Sequence, residues 1–389
     1  MTHRAARVLL TLVLLLGTLA PAPPAAVAAV APAVPGATAG PPPAPVRAPT
    51  VRAEAFVLAD AVTGQVLLAR NADQARPMAS TTKVMTGLLA IERLDQHRIV
   101  TIGPGPAAVG EESLRLRVGE RLTVRQLLEG LLLKSANDAA VALAEAVDGN
   151  EAAFVRRMNA RARQLGMTRT RYVTSYGLDR PGHATSAADL ARLWNVAMRT
   201  PAFRALTGMR AATIPGPAAY RHFEHTNKLL GSYPWVLGGK TGFTDGAGRC
   251  LVVSARRGGR TLVAVALGSP DAFPDVRALL EYGFTALVRA RLALAGQTVE
   301  VATASGPPVR YRFEQTVDAL VPRDQLAKVR LTVRPGAPPA GALVAGTQVL
   351  AQPKLALADT GEPGQLRPVG LPVGAVPAVI DRFLAAGAD

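Results

Sequence analysis

The sequence predicts an α+β protein in which helices pack on a mainly antiparallel sheet, followed by a small all-β domain. Three observations carry this expectation. Two apolar runs flank a "VTGQ" turn soon after Val51, and helix-period segments then fill the chain from near Ser80 to Arg199. Strand-like runs return in "WVLGGKTGF" and in "RCLVVSARRGGRTLVAVALG" with its "RRGG" hairpin, before a last helix. At 389 residues and 49% hydrophobic content, the chain has material for a real core and room for two domains.

Arg4 and Arg7 precede the 13-residue apolar run "VLLTLVLLLGTLA" at 8–20, too short to span a bilayer comfortably. Residues 1–28 therefore read as a secretory signal ending in the small-residue site "AVA", with an uncleaved anchor as the alternative. Residues 29–50 are Ala/Pro-rich and suit a stiff, extended linker. The first ordered unit is expected over 51–290. "AEAFVLADAVTGQVLLARNAD" reads as a hairpin, and Val84, Leu88 and Ile91 follow helical spacing after the capping-rich "STT". Further helices are predicted at 123–134, 138–147, 151–166 and 186–199, and a closing helix over "DVRALLEYGFTALVRARL" (275–292). From 291 to 375 short alternating runs ("QTVEVAT", "VRYRFEQ", "AKVRLTV", "TQVLAQPKLALAD") separated by Gly/Pro turns suggest a small β-domain. Residues 376–389 suit a terminal helix; a weak surface anchor is the alternative, but the segment is too short to cross a membrane.

Composition narrows the function classes. A net charge of +16 fits an anionic envelope polymer or an acidic membrane face, and fits plain solubility equally well. No nucleic-acid partner is expected of an exported chain with 4% aromatics and no basic run interleaved with rings. Cys250 is the sole cysteine, so no intramolecular disulfide or cysteine metal site can form, and its apolar run marks it as a buried strand residue. His222 and His225 lack a carboxylate or cysteine pattern to complete a zinc site, so neither a metal nor a cofactor is predicted.

The chain holds six lysines against 38 arginines, which makes Lys83, three residues after Ser80, conspicuous. A guanidinium effectively never loses its proton, whereas a lysine can act as a base once burial or a neighbouring cation lowers its pKa. Ser80 and Lys83 share a helix face near its start, where free N–H groups can meet a developing oxyanion. "KSANDAA" places Ser135 and Asn137 in a break between helices, and "LGGKTGF" places Lys240, Thr241 and Gly242 on a strand whose glycines admit a substrate backbone. Lys240 is a candidate positive neighbour for Lys83, and Ser135 a candidate proton relay.

In that order these stretches resemble the three motifs of the penicillin-binding proteins and serine β-lactamases. The segments "DAVTGQVLLARNAD", "LLLKSANDAAVALAEAV", "HTNKLL", "GGKTGFTDGAGRCLVVSA" and "LLEYGF" are similar to low-molecular-mass D-alanyl-D-alanine carboxypeptidases over roughly residues 52–285. The resemblance implies a β-lactamase/transpeptidase-like catalytic domain in a cell-envelope enzyme, periplasmic or extracellular, with peripheral membrane attachment an option. It implies that Ser80 is the acyl-enzyme nucleophile, Lys83 the proton acceptor and Ser135 a second catalytic residue. Asn137, Lys240, Thr241 and Gly242 would contact the substrate, and the backbone N–H groups of Ser80 and Phe243 would form the oxyanion hole. The implied substrates are peptidoglycan stem peptides ending in D-Ala-D-Ala, with β-lactams as covalent inhibitors. After "VAVALG" the family's usual Gly-Arg is missing, leaving Arg249 and Arg277 as candidate carboxylate contacts. A D-alanyl-D-alanine endopeptidase shares every motif. A class A β-lactamase needs a glutamate after the second motif, and none lies between Glu151 and Glu224. A non-catalytic envelope sensor would be expected to have lost Ser80, Lys83 or Lys240, and it has lost none.

Overall fold

The structure, a computed structural model, describes residues 46–294, 296 and 317–324, with short strands at Ala28–Val30, Thr298–Val301, Val309–Arg312, Val329–Val333, Gln348–Val349 and Lys354–Leu357. The expected signal up to residue 27, most of the expected linker and the expected terminal helix at 376–389 lie outside the described residues.

Strands β1 (Ala55–Asp60) and β2 (Val66–Arg70) form the predicted hairpin. Its turn is set by Asp60, whose Oδ1 accepts the N–H groups of Val62 at 2.9 Å and Thr63 at 2.8 Å, and by Gly64 at φ +72°. Three later strands, β3 (Val236–Thr244), β4 (Gly248–Arg257) and β5 (Arg260–Ser269), complete an antiparallel sheet in the order β2-β1-β5-β4-β3. Gly258 and Gly259, at φ +56° and +75°, make the predicted "RRGG" hairpin.

Both faces of this sheet are buried, because successive residues of its central strands are mostly apolar. Val57, Val252, Val263 and Val265 face a block of helices, whereas Phe56, Leu251, Val253 and Leu262 face the opposite layer. The helical block comprises α1 (Lys83–Arg93), α2 (Val124–Glu129), α3 (Asn137–Asp148), α4 (Glu151–Gln164), α5 (Ala187–Arg199) and α6 (Pro201–Thr207). Three of its six starts are capped by side chains: Thr123 makes a reciprocal box with Gln126, Asn150 accepts from Ala153 N, and Ser186 from Asp189 N. Trp194 of α5 is fully buried on the sheet, and its Nε1 donates to Ser254 Oγ on β4 at 2.7 Å. Helix α7 (Ala272–Thr285) covers the other face with Val276, Leu279 and Leu280. Burying each such side chain contributes roughly 1.5–3 kcal/mol.

Two predicted helices differ from expectation. The segment 123–134 is α-helical only to Glu129; Gly130–Lys134 widens into a π-turn, closed by Ala136 N on Gly130 O at 3.0 Å. The closing helix predicted to residue 292 stops at Thr285, and Leu287–Ala293 is a strand paired with Val317–Pro322. Arg260 ends that helix by donating to Gly283 O at 3.1 Å and Leu287 O at 2.8 Å. Helix α6 and the hairpins Ile99–Thr101/Arg121–Thr123 and Ala211–Ile214/Arg221–Glu224 were not expected from the sequence. No described helix is long and apolar enough to cross a membrane.

Candidate active site

Ser80 lies in a 3₁₀ turn, Ala79–Thr82, that leads directly into α1. The turn is unusual at Ala79, a non-glycine residue at φ +47°. Lys83 opens α1, is fully buried, and places Nζ 2.7 Å from Ser80 Oγ. The same Nζ donates to the carbonyl of Tyr176 at 2.7 Å. That carbonyl is held in place by its neighbours: Ser175 O accepts from Thr86 Oγ1 at 2.5 Å, and Ser175 N and Oγ donate to Glu151 Oε1 at 2.8 and 2.7 Å. Glu151, the last glutamate before the glutamate-free stretch, is thus committed to holding a backbone segment.

The π-turn ends at Ser135, a left-handed residue at φ +72° whose Oγ accepts from Lys240 Nζ at 2.9 Å. Lys240 is likewise fully buried and also donates to Thr241 O at 2.8 Å. The two Ser–Lys pairs are thus separate units: Ser80 with Lys83, and Ser135 with Lys240. Asn137 spends its groups on the loop opposite, donating from N to Glu112 O at 2.7 Å and from Nδ2 to Glu111 O at 2.8 Å. Asp138 holds the same loop through Leu114 N at 3.0 Å and Leu116 N at 3.1 Å.

Edge strand β3 brings the third motif against the first. A Cβ at Gly242 would lie 2.9 Å from Ser80 N and 3.0 Å from the Ala79 Cβ, so only glycine allows this approach. Thr241 Oγ1 pairs with Thr226 Oγ1 at 2.6 Å, and the Phe243 ring stands 57% exposed beside the turn with Arg249 stacked over it at 5.2 Å. Arg277 stacks over Tyr233 in the layer covered by α7. Of the two candidate carboxylate contacts, the fold brings only Arg249 beside Phe243.

Burial dominates the electrostatics. Lys83 is held well below its ordinary pKa first by desolvation and then by repulsion from Lys240, with Glu112 and Asp138 opposing. Lys240 is pushed down to about 7 by burial, against a smaller pull from Glu112. A neutral Lys83 keeps a lone pair for the Ser80 proton while an N–H still reaches Tyr176 O. That arrangement can deprotonate a serine as it attacks a carbonyl, and the second Ser–Lys pair can pass a proton to a leaving group. Among the described residues no cluster of His, Cys, Asp and Glu could hold a metal ion.

The structure brings together Ser80, Lys83, Ser135, Asn137, Lys240, Thr241, Gly242 and Phe243 around this edge of β3. Sequence reading did not single out the Tyr176 carbonyl, Asp138, Thr226 or His183. A backbone carbonyl leaves no mark in sequence, but "SANDAA" and "HTN" adjoin the motifs and could have pointed to Asp138 and Thr226. His183 and His225 are both buried, with burial lowering their pKa values to about 4 and about 3. In each case the unfolded chain binds the proton more readily, so native stability falls as pH drops from about 6.5. We expect the melting temperature of the protein to fall more steeply between pH 6.5 and 4.5 than that of His183→Phe, whose ring does not titrate. Parallel pH dependence in the two would contradict this.

Residues 43–271 match the family model of the D-alanyl-D-alanine carboxypeptidases, peptidase family S11. The chain is 36% identical over 251 residues to the D-alanyl-D-alanine carboxypeptidase DacB2 of Mycobacterium tuberculosis, covering 62% of this chain and 86% of the relative. Among solved structures it is similar to penicillin-binding protein 6B of Escherichia coli, with a TM-score of 0.63 and 33% identity over 75% of this chain and 89% of that one. It is also similar to a point mutant of the Streptomyces K15 DD-transpeptidase, with a TM-score of 0.58 and 32% identity over 61% and 99% of the two chains.

Proposed function

The chain belongs to the D-alanyl-D-alanine carboxypeptidase family of serine peptidases, and from that membership we propose that it removes the terminal D-alanine of peptidoglycan stem peptides through an acyl-enzyme on Ser80. The observation that carries this reading is the fully buried Lys83 at 2.7 Å from Ser80 Oγ, its pKa lowered by desolvation and by Lys240. Ser80 Oγ attacks the carbonyl carbon of the penultimate D-alanine as Lys83 takes its proton. The N–H groups of Ser80 and Phe243 receive the oxyanion. As the C–N bond breaks, the Ser135 hydroxyl, held by Lys240, gives its proton to the departing amine and takes up the one Lys83 received from Ser80, so Lys83 is neutral again. Water then cleaves the ester, with Lys83 as base, and restores the free serine.

The remaining contacts are assigned to substrate. Thr241 and Thr226 face the terminal carboxylate, Arg249 adds charge, and Asn137, oriented by its Nδ2–H bond to Glu111 O, turns Oδ1 to the peptide. Gly242 lets the peptide run along β3 as an added strand. A β-lactam opens on Ser80 by the same attack, but its amine stays tethered and blocks the water. Export to the cell envelope, where peptidoglycan lies, belongs to the same proposal.

The test is release of D-alanine from a peptide ending in D-Ala-D-Ala, run beside a cross-linked dimer. D-alanine release with the cross-link intact is expected. Cleavage of the cross-link alone would transfer the assignment to the endopeptidase, and neither product would remove the peptidase reading.

A further inference from the structure

A chain of hydrogen bonds outside the three motifs ends on the peptide group that carries the Ser80 N–H. His183 Nδ1 accepts the backbone N–H of Val173 at 2.9 Å. An imidazole nitrogen that accepts is unprotonated, so the proton sits on Nε2, which faces Thr82 Oγ1 at 2.7 Å. Burial keeps the ring neutral, since its pKa is lowered to about 4. Nε2–H therefore donates to Thr82 Oγ1, and the Thr82 hydroxyl in turn donates to Ala79 O at 2.8 Å. Both side chains are buried, Thr82 at 0% and His183 at 4% exposure, so water does not compete for these groups.

The end of the chain matters because of peptide geometry. Ala79 C=O and Ser80 N–H belong to one planar trans peptide and point in opposite directions. Holding the oxygen fixes the direction of the N–H. The need for such a hold is plain at Ala79, whose φ of +47° is sparsely populated by residues with a side chain. Gly177 closes over the same oxygen, and Gly242 lies against Ser80 N on the other side.

We propose that His183, acting through Thr82, is a positioning residue that aims the Ser80 N–H at the oxyanion by pinning the Ala79–Ser80 peptide. The inference rests on the acyl-enzyme reading of Ser80. It predicts a defect in the transition state, with ground-state binding and the base untouched. Neither His183 nor Thr82 touches substrate in this account.

The test compares Thr82→Val, Thr82→Ser, His183→Phe and the Thr82→Val/His183→Phe pair, by pre-steady-state acylation with penicillin and by amide hydrogen exchange over residues 78–82. Thr82→Val is expected to slow acylation ~10- to 100-fold, below the loss from deleting an oxyanion donor outright. Its dissociation constant for penicillin and the acid limb of its pH profile should match the parent protein. Thr82→Ser keeps the hydroxyl and should restore the rate. The double variant should be no slower than Thr82→Val, because both remove one chain. If Thr82→Val does not fold, His183→Phe carries the same comparison. Acylation by Thr82→Val at the parent rate would overturn the proposal, and so would a shifted acid limb, which would mean the chain acts on Lys83. If the parent protein fails to acylate, the Ser80 reading falls and exchange decides this one separately. Faster exchange at the Ser80 amide in Thr82→Val than in Thr82→Ser supports the pinned peptide, and equal exchange overturns it.

Discussion

Lys83→Arg is expected to abolish acylation of Ser80 while leaving a folded protein. The substitution keeps the positive charge and loses the function, because a guanidinium cannot take up the serine proton at any accessible pH. A positioned general base contributes on the order of 10²- to 10⁴-fold, and the arginine variant should lose all of it. The surroundings sharpen the expectation. Lys83 is fully buried beside Lys240, and both effects push it towards the neutral form. An arginine there stays charged in a dry site next to a second cation, so some stability is lost as well. Covalent labelling by penicillin, followed at pH 7 and pH 9 with melting curves as the control for folding, checks this. Labelling at the parent rate by a folded arginine variant would place the base elsewhere.

Gly177→Ala is expected to lower both stability and acylation, and by more than a matched glycine elsewhere. Gly177 has φ +101°, and a Cβ there would run into Ala79 O and lie 2.6 Å from Ala79 C. Those are backbone atoms, so the clash cannot be relieved by turning a side chain. Left-handed strain of about 1–2 kcal/mol adds to an overpacking cost of about 1–3 kcal/mol. The carbonyl that must move is joined to the Ser80 N–H, so the nucleophile turn should suffer with the fold. Gly64 provides the control: it has φ +72°, but nothing lies within 4 Å of an added Cβ, and only the strain applies. Urea midpoints and penicillin acylation rates for Gly177→Ala and Gly64→Ala separate the two terms. Equal losses would contradict the close packing of Gly177 on the turn.

Much of the site was legible because its chemistry is written in short, local spacings. Ser80 and Lys83 are three residues apart, and one turn of chain suffices to join them. Lys240 could be named as the cation near Lys83, although the fold makes burial the larger cause of the lowered pKa. The Tyr176 carbonyl and His183 were not legible, since one is backbone and the other acts across 101 residues of sequence through Thr82. Arg277 illustrates the converse: sequence left it open as a carboxylate contact, and tertiary packing stacks it over Tyr233. In the sheet, near-continuous apolar runs marked β1, β4 and β5, where both faces are covered. The pattern failed at the end of α7, because "ALVRARL" fits helix and strand periods alike, and the Arg260 guanidinium decides the matter from another strand. The π-turn before Ser135 was hidden for a similar reason: Gly130 closes against Leu114, a contact no local pattern announces.

The central claim is that Ser80 is the nucleophile, and peptide mapping after incubation with penicillin tests it most directly. The account predicts a single penicilloyl adduct on the peptide that contains Ser80 and Lys83, located on the serine oxygen and absent from a folded Ser80→Ala variant. An adduct that persists in Ser80→Ala, or one that maps to Ser135, would contradict it.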